Sequence, residues 1–267
     1  MVQSTTPKTA IVTGASRGIG RGIAMVLAER GYDVLLGHLN EPKEAIDAAA
    51  QIRERFGRKA VVFQADLRDT ATLAPLIDTA RRELGPIGLL VNNAGICIRD
   101  KVITDFSQEK IDAMTAVNFR APLLLSGIAA KHMIEDRVCG NIIFISSSRA
   151  QRAYPMDGVY GGLKAALERA AMSLALELAP HGIRVNAIAP GATIIRDPND
   201  EYHRGLSRKI PLGRMAKPAD IGEAVAWLSS DAAAYITGIT LRIDGGLILP
   251  GMPEEPNRSL EDDWGRA

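Results

Sequence analysis

The 267-residue sequence predicts a doubly wound α/β fold, one parallel sheet of seven strands with helices on both faces. Three observations carry this. Short apolar, β-branched runs alternate with longer stretches of helical spacing along nearly the whole chain. The strand runs are continuously apolar rather than alternating, as expected where both faces of a sheet are covered. Most of the helical stretches stop at Gly or Pro.

In order, the predicted strands are Thr9–Thr13, Asp33–Gly37, Ala60–Gln64, Leu89–Asn92, Asn141–Ser146, Ile183–Ile188 and Ile239–Ile243. The predicted helices are Ile19–Arg30, with Ile19, Ile23, Val26 and Leu27 on one face, then Glu41–Phe56, Thr70–Leu84, Ser107–Asn118, Ala121–Arg137, Gly158–Ala179 and Ala219–Ser229. Gly31, Gly57, Gly85-Pro86 and Pro180 with Gly182 mark stops. No linker or repeat interrupts the pattern, so residues 1–267 read as a single domain. A polar tail at about 252–267 is expected at the surface, with Trp264 unexplained.

Composition excludes several classes. Thirty-two basic against 31 acidic residues give a net charge of +1, without the basic excess of a nucleic-acid binder. Cys97 and Cys139 form no metal-ligand cluster with the four scattered histidines, and read as reduced thiols of a cytoplasmic protein. No apolar stretch precedes the first strand, and no uninterrupted apolar run is long enough for a membrane span. The expected partner is therefore a small molecule, with no nucleic acid, membrane or metal.

The first strand runs into Thr13-Gly14-Ala15-Ser16-Arg17-Gly18-Ile19-Gly20. Glycines let the backbone turn sharply and approach a pyrophosphate, and the following helix aims its free N–H groups at it. The spacing is G-x3-G-x-G, and its strand–loop–helix setting favours dinucleotide binding over a purely structural turn. After strand two stands Gly37-His38-Leu39-Asn40, with no carboxylate before Glu41 to hold a ribose diol. Arg17 is placed to pair with a 2′-phosphate, so NADP is the expected cofactor, with NAD as the alternative. His38 and Asn40 are candidate contacts there. Asp66, with Leu67 beside it, follows strand three and suits an adenine amino group or a helix N-cap. Asn93, Ala94 and Gly95 close strand four, where small residues admit the cofactor.

Tyr160 and Lys164 lie one helical turn apart near the start of a helix. Five tyrosines and nine lysines would give one such pair by chance with a probability of roughly 0.17. Ser147, 13 residues before Tyr160 at the end of strand five, strengthens the reading. A neighbouring ammonium and a cationic nicotinamide are expected to lower the phenol's pKa, so that Tyr160 exchanges a proton with an alcohol while Ser147 bonds the reacting oxygen. Period 2 puts Ser146 and Ser148 on the other side from Ser147. Asn118, polar in an apolar stretch, reads by itself more as a satisfied core amide than as a catalytic group.

These motifs together resemble the short-chain dehydrogenase/reductase family. TGASRGIG, Asp66, NNAG, Asn118, Ser147, YGGLK and Pro190-Gly191 stand in that family's order and spacing, from about Thr9 to Gly246. The resemblance implies a Rossmann-like domain and an NAD(P)-dependent oxidoreductase, commonly a homotetramer. It implies that Asn118 is catalytic, holding a water in a proton relay with Lys164, and that Lys164 holds the ribose hydroxyls. It also implies cofactor contacts from Ile19, Asn93 and the Pro190–Ile195 stretch, including Gly191 and Thr193. The sequence departs from the family where a carboxamide-binding threonine is often found: Ile195 stands there, with Thr193 two residues earlier.

Within the family the chain resembles the sugar 1-dehydrogenases, glucose 1-dehydrogenase in particular, through IEDRVCGNIIFISS, ALELAPHGIRVNAIAPGA and AAYITGITLRIDGGLILPGMPE. That implies oxidation of an aldose hemiacetal to a lactone. The alternatives are a 3-oxoacyl-carrier-protein reductase or other carbonyl reductase and, remotely, a non-catalytic dinucleotide sensor. A substrate lid is expected at about 193–212, offering Arg196, Asp197, Asn199, Asp200, Glu201, Tyr202 and His203 to hydroxyls. Arg149, Gln151, Arg152 and Tyr154 add polarity near the reaction centre. The helices at Ala121–Arg137 and Gly158–Ala179 are the candidate subunit interface.

Overall fold

The computed structural model describes residues 7–99, 101, 105–195 and 201–249. Seven parallel strands form one sheet in the order β3-β2-β1-β4-β5-β6-β7. They are β1 Thr9–Val12, β2 Asp33–His38, β3 Ala60–Gln64, β4 Leu89–Asn92, β5 Asn141–Ile145, β6 Arg184–Pro190 and β7 Thr240–Ile243. Eight helices accompany them among the described residues: α1 Gly18–Glu29, α2 Pro42–Phe56, α3 Leu73–Leu84, α4 Gln108–Thr115, α5 Ala121–Glu135, α6 Gly158–Leu178, α7 Glu201–Arg208 and α8 Pro218–Leu228.

Both faces of the sheet are buried, which explains the continuous apolar runs. Ile11, Leu35, Leu90, Ile142, Phe144 and Val185 point into one core with α3, α5 and α6. Their neighbours Ala10, Val12, Val34, Leu36, Leu89, Val91, Ile143 and Ile188 point into the other, with α1, α2 and α8. Burying each large side chain contributes about 1.5–3 kcal/mol. On the second face α1 and α8 pack closely at small residues. A Cβ on Gly22 would stand 2.3 Å from Pro218.

The connection reverses direction between β1 and β4, and the carboxyl ends of these strands open a crevice there. The predicted strands and most predicted helices are present, with three differences. The stretch predicted as helix from Thr70 opens with a 3-10 turn, Thr70–Thr72, capped by Asp69. The two predicted helices meeting near residue 120 join through a π-helical segment, Ala116–Arg120, which carries Asn118. The resulting run Gln108–Glu135 is long and apolar enough by composition to cross a membrane, although no uninterrupted apolar run suggested one, and 56% of its most apolar stretch is buried inside this fold.

The third difference is α7, inside the stretch expected to form a lid. Its helical spacing was masked by a sequence rich in charge and containing Gly205. Arg196, Asp197, Asn199 and Asp200, the side chains of Glu201 and Tyr202, and the tail at 252–267 lie outside the described residues.

Candidate active site

The glycine loop is stitched to the end of β4 by hydrogen bonds between side chains and backbone. Thr13 Oγ1 accepts from the N–H groups of Asn93 and Ala94, both at 3.0 Å. Asn93 Nδ2 donates to the carbonyls of Thr13 at 2.8 Å and Gly14 at 3.1 Å. Gly14 has φ +64°, and a Cβ on Gly20 would stand 2.1 Å from the Gly14 carbonyl oxygen, so neither position takes a side chain without rearrangement. Arg17, the N-cap of α1, makes no side-chain cap, which leaves the helix's first N–H groups facing the crevice.

A cleft of about 600 Å³ follows from this loop. Gly14, Ser16, Arg17, Gly18, Ile19, Gly20, His38, Asn40, Asp66, Leu67, Asn93, Ala94 and Gly95, the sequence's candidate cofactor contacts, all line it. Leu39, Glu41, Arg68, Ile96 and Val117 also line it, which sequence reasoning did not assign. Asp66 does not cap a helix: Arg68 holds its carboxylate through Nε at 3.0 Å and Nη2 at 2.6 Å, and that hydrogen bonding keeps it below the usual carboxylate range. The cap is Asp69 instead.

Glu41 is the less expected member. Its carboxylate accepts from the Ser16 hydroxyl and from Arg17 Nε, and these bonds, Ser16's first, keep its pKa low. The signal was present in the sequence as a carboxylate three residues past β2, too late for the usual ribose position. His38 is buried with Nδ1 lacking a partner, and burial lowers its imidazole pKa.

The family-implied contacts after β6 fall differently. Pro190, Gly191 and Thr193 are not among the cleft's lining residues. Gly191 is packed on Asp244, where a Cβ would stand 2.6 Å from that residue's Cβ, and Thr193 bridges to Ala216. Ile195 reaches the cleft and lies against Gly18.

Beyond Gly95 the cleft meets the predicted chemical group. A Cβ on Gly95 would be 3.0 Å from Asn118 Oδ1 and 3.6 Å from Lys164 Nζ. Asn118 is fully buried, and both ends of its amide bind Ile96: Oδ1 accepts from the N–H at 2.9 Å, and Nδ2 donates to the carbonyl at 2.7 Å. A π-bulge is a frequent device for turning one such side chain inward.

Ser147 follows β5; its hydroxyl acts on the Tyr160 phenol in the sense that favours the phenolate, and its Oγ accepts from the Arg149 N–H at 3.2 Å. Ser146 and Ser148 are buried away from that phenol, and Ser146 donates to Glu168 at 2.7 Å. Lys164 Nζ lies 5.7 Å from the Tyr160 ring centroid and donates to the Ile145 carbonyl at 2.7 Å. Burial lowers the Lys164 pKa to about 8. Burial raises that of Tyr160 to about 12, aided by the Cys97 thiol and opposed by Ser147. The expected lowering of the phenol by the ammonium is thus not found in the chain by itself, because desolvation outweighs it.

The arrangement is a cleft of about 600 Å³ whose lining reaches Gly95 and Ile96, with Asn118 and the Lys164 ammonium directly behind Gly95 and with Ser147 and Tyr160 outside the lining. A sequence model described as enoyl-(acyl carrier protein) reductase matches residues 14–248. The chain is 36% identical over 254 residues to glucose 1-dehydrogenase 2 of Bacillus subtilis, covering 93% of this chain and 98% of that one. It is 35% identical over 245 residues to the 3-oxoacyl-[acyl-carrier-protein] reductase FabG of Salmonella typhimurium, covering 91% and 98%. Among solved structures, a short-chain dehydrogenase from Burkholderia cenocepacia in complex with NADP superposes with a TM-score of 0.84 at 32% identity, covering 92% and 99%. The chain belongs to the short-chain dehydrogenase/reductase family and is an oxidoreductase of that family, which binds a nicotinamide dinucleotide.

Proposed function

We propose that the chain is an aldose 1-dehydrogenase that oxidises a glucose-like hemiacetal to its lactone, with NADP preferred over NAD. The observation that carries the chemistry is the Ser147–Tyr160–Lys164 group, whose Lys164 lies behind Gly95 at one edge of the cleft. The cleft's glycine loop and α1 N-terminus suit a pyrophosphate, and Arg17 suits a 2′-phosphate. When bound, the nicotinamide supplies the hydride acceptor.

Ser147 hydrogen-bonds the substrate oxygen, and Tyr160 Oη takes the proton of the C1 hydroxyl as the C1 hydrogen leaves as hydride. Lys164, charged below about pH 8, favours the phenolate. Asn118 holds Ile96 at the cleft wall and, through a water, joins Lys164 to solvent. Pro190, Gly191 and Thr193, outside the cleft lining described above, would meet the nicotinamide beyond it, with Thr193 offering backbone groups where Ile195 replaces a hydroxyl. In the reverse direction the un-ionised phenol, at about 12, is a ready proton donor to a carbonyl.

Similarity to glucose 1-dehydrogenase 2 favours a polyol over an acyl chain. The second reading, a 3-oxoacyl-carrier-protein reductase, rests on the equally long match to FabG. We further propose a single domain over 1–267, a cytoplasmic location and a homotetramer built through α5 and α6. Exposed Leu124, Ile134, Met172 and Leu176 on those helices suit such an interface.

The test mixes the chain with NADP or NAD and a panel of aldoses, following absorbance of the reduced nicotinamide. Parallel wells hold NADPH and a 3-oxoacyl thioester. Growth of absorbance with an aldose is expected, faster with NADP. Loss of absorbance in the thioester wells alone overturns the sugar assignment.

A further inference from the structure

Arg149 and Asp157 flank the reaction centre without entering the chemistry described above. Arg149 sits two residues past Ser147, in the 3-10 turn Ser148–Ala150, and its N–H donates to Ser147 Oγ at 3.2 Å. Asp157 immediately precedes α6, the helix that carries Tyr160 and Lys164. Arg149 Nη1 stands 3.2 Å from Asp157 Oδ1, and the Asp157 side chain is only 3% exposed. The guanidinium also lies over the Tyr154 ring, 4.8 Å from its centroid.

The fit between turn and helix is close. A Cβ on Gly161 would stand 2.9 Å from the Arg149 carbonyl oxygen and 3.2 Å from Asp157 Oδ2. Yet neither Asp157 oxygen, nor Arg149 Nη1, has an aligned hydrogen bond. A buried ion pair without good hydrogen bonds is a poor stabilising device, so its place beside a reaction centre calls for another role.

We propose that the Arg149–Asp157 pair is a positioning element: it clamps the Ser147 turn to the first turn of α6 and sets the electrostatic balance at the Tyr160 hydroxyl. The two charges act on that phenol in opposite senses. Arg149 favours the phenolate and Asp157 opposes it. The other groups facing Tyr160 are Cys97, from the loop after β4, which opposes ionisation, Ser147 at the end of β5, which favours it, and Lys164 on α6. Arg99 acts on the Cys97 thiol. Arg149 and Asp157 act on the Cys97 thiol as well, the first lowering and the second raising its pKa, so changing either member moves Cys97 in the same sense as Tyr160. The inference rests on the reading of Tyr160 as the proton-transferring group.

The experiment compares Arg149→Gln, Asp157→Asn and the double variant with the wild type, on whichever alcohol the wild type oxidises. It reads kcat and KM across pH, and cofactor affinity from the fluorescence of bound NADPH. Loss of Arg149 moves the midpoint of the rising limb upward by about half a pH unit or more, and loss of Asp157 moves it downward by a similar amount. The double variant returns the midpoint toward the wild-type value with kcat about tenfold lower, because the clamp is gone. KM and NADPH affinity stay within about twofold. Should Arg149→Gln fail to fold for leaving a buried carboxylate unpaired, Asp157→Asn and the double variant still decide.

Unshifted midpoints with wild-type kcat overturn the clamp alone, as does a loss of activity that merely tracks thermal stability. Failure of the wild type to turn over any alcohol or carbonyl overturns the proton-transfer reading and the clamp together.

Discussion

The two ends of the cleft handle charge in opposite ways. At the adenosine end, Arg17 and Glu41 meet at a surface where their side chains are 56% and 33% exposed. Water can replace either partner, so the pair is worth little to stability and is easily exchanged for another anion. At the chemical end, Lys164 is 4% exposed with a single carbonyl acceptor among its described hydrogen bonds, and the half-buried Tyr160 sits beside it. There each charge is expensive and shifts its own pKa. The lesson is that one crevice separates recognition, which needs reversible pairing, from proton transfer, which needs groups held at unusual pKa values.

The sharpest way to break this comparison is at Tyr160. Tyr160→Phe removes the proton acceptor and keeps the ring. Turnover in both directions should fall by at least about 10³-fold, while NADPH fluorescence still reports binding. In the wild type, alcohol oxidation should rise with pH as the phenol and its neighbours lose protons. Carbonyl reduction should hold at neutral pH and fall only on the alkaline side. A flat oxidation profile from pH 6 to 10 contradicts the assignment.

Lys164→Met tests the energetic half. The folded-state pKa is about 8 against an ordinary 10.5, so the folded chain binds fewer protons than the unfolded one between those values. Wild-type stability therefore rises with pH across that window, and below it the buried ammonium costs about 3 kcal/mol. Methionine removes this penalty but also the bond to Ile145, so at pH 7 the thermal midpoint should rise by about 2–6 °C while turnover collapses. The gain should shrink as pH passes from 8 to 10.5. Scanning calorimetry at two pH values checks both signs, and a lower midpoint at pH 7 refutes the argument.

The same contrast governs what the sequence revealed. Strand runs such as Ile142–Phe144 were legible because two-sided burial leaves no choice but apolar residues. The glycine loop was legible because Gly14 takes a left-handed φ of +64° and a Cβ on Gly20 would strike the Gly14 carbonyl within the same turn. Strand period set Ser147 on the other side from Ser146 and Ser148, and the spacing of 13 residues to Tyr160, not the period, favoured Ser147. What stayed hidden depends on side-chain reach across the fold. Glu41 bends back onto Ser16 and Arg17, Arg68 takes the Asp66 carboxylate, and the π-segment spends the Asn118 amide on Ile96. None of these pairings leaves a periodic trace. Helix α7 was missed because its composition reads as a solvated loop.

The smallest expected effect falls at the adenosine end. Glu41 takes the Ser16 hydroxyl and Arg17 Nε, and Arg17 is the proposed partner of a 2′-phosphate, so on that proposal NADP displaces a carboxylate that NAD leaves in place. Glu41→Gln keeps the side chain's length and removes the competing charge. NADPH should then bind about 5–20-fold more tightly, with NADH changed by no more than about twofold. The stability change should stay within about 0.5 kcal/mol, since the pair is solvent-screened. The gain should fade as salt is raised, because the interaction it exposes is a partly exposed cation meeting a phosphate. Titrations of both reduced cofactors at two ionic strengths measure all three quantities. An equal rise for NADH would show that Glu41 blocks the cleft by bulk rather than by charge, and the two ends would then differ less than their burial implies.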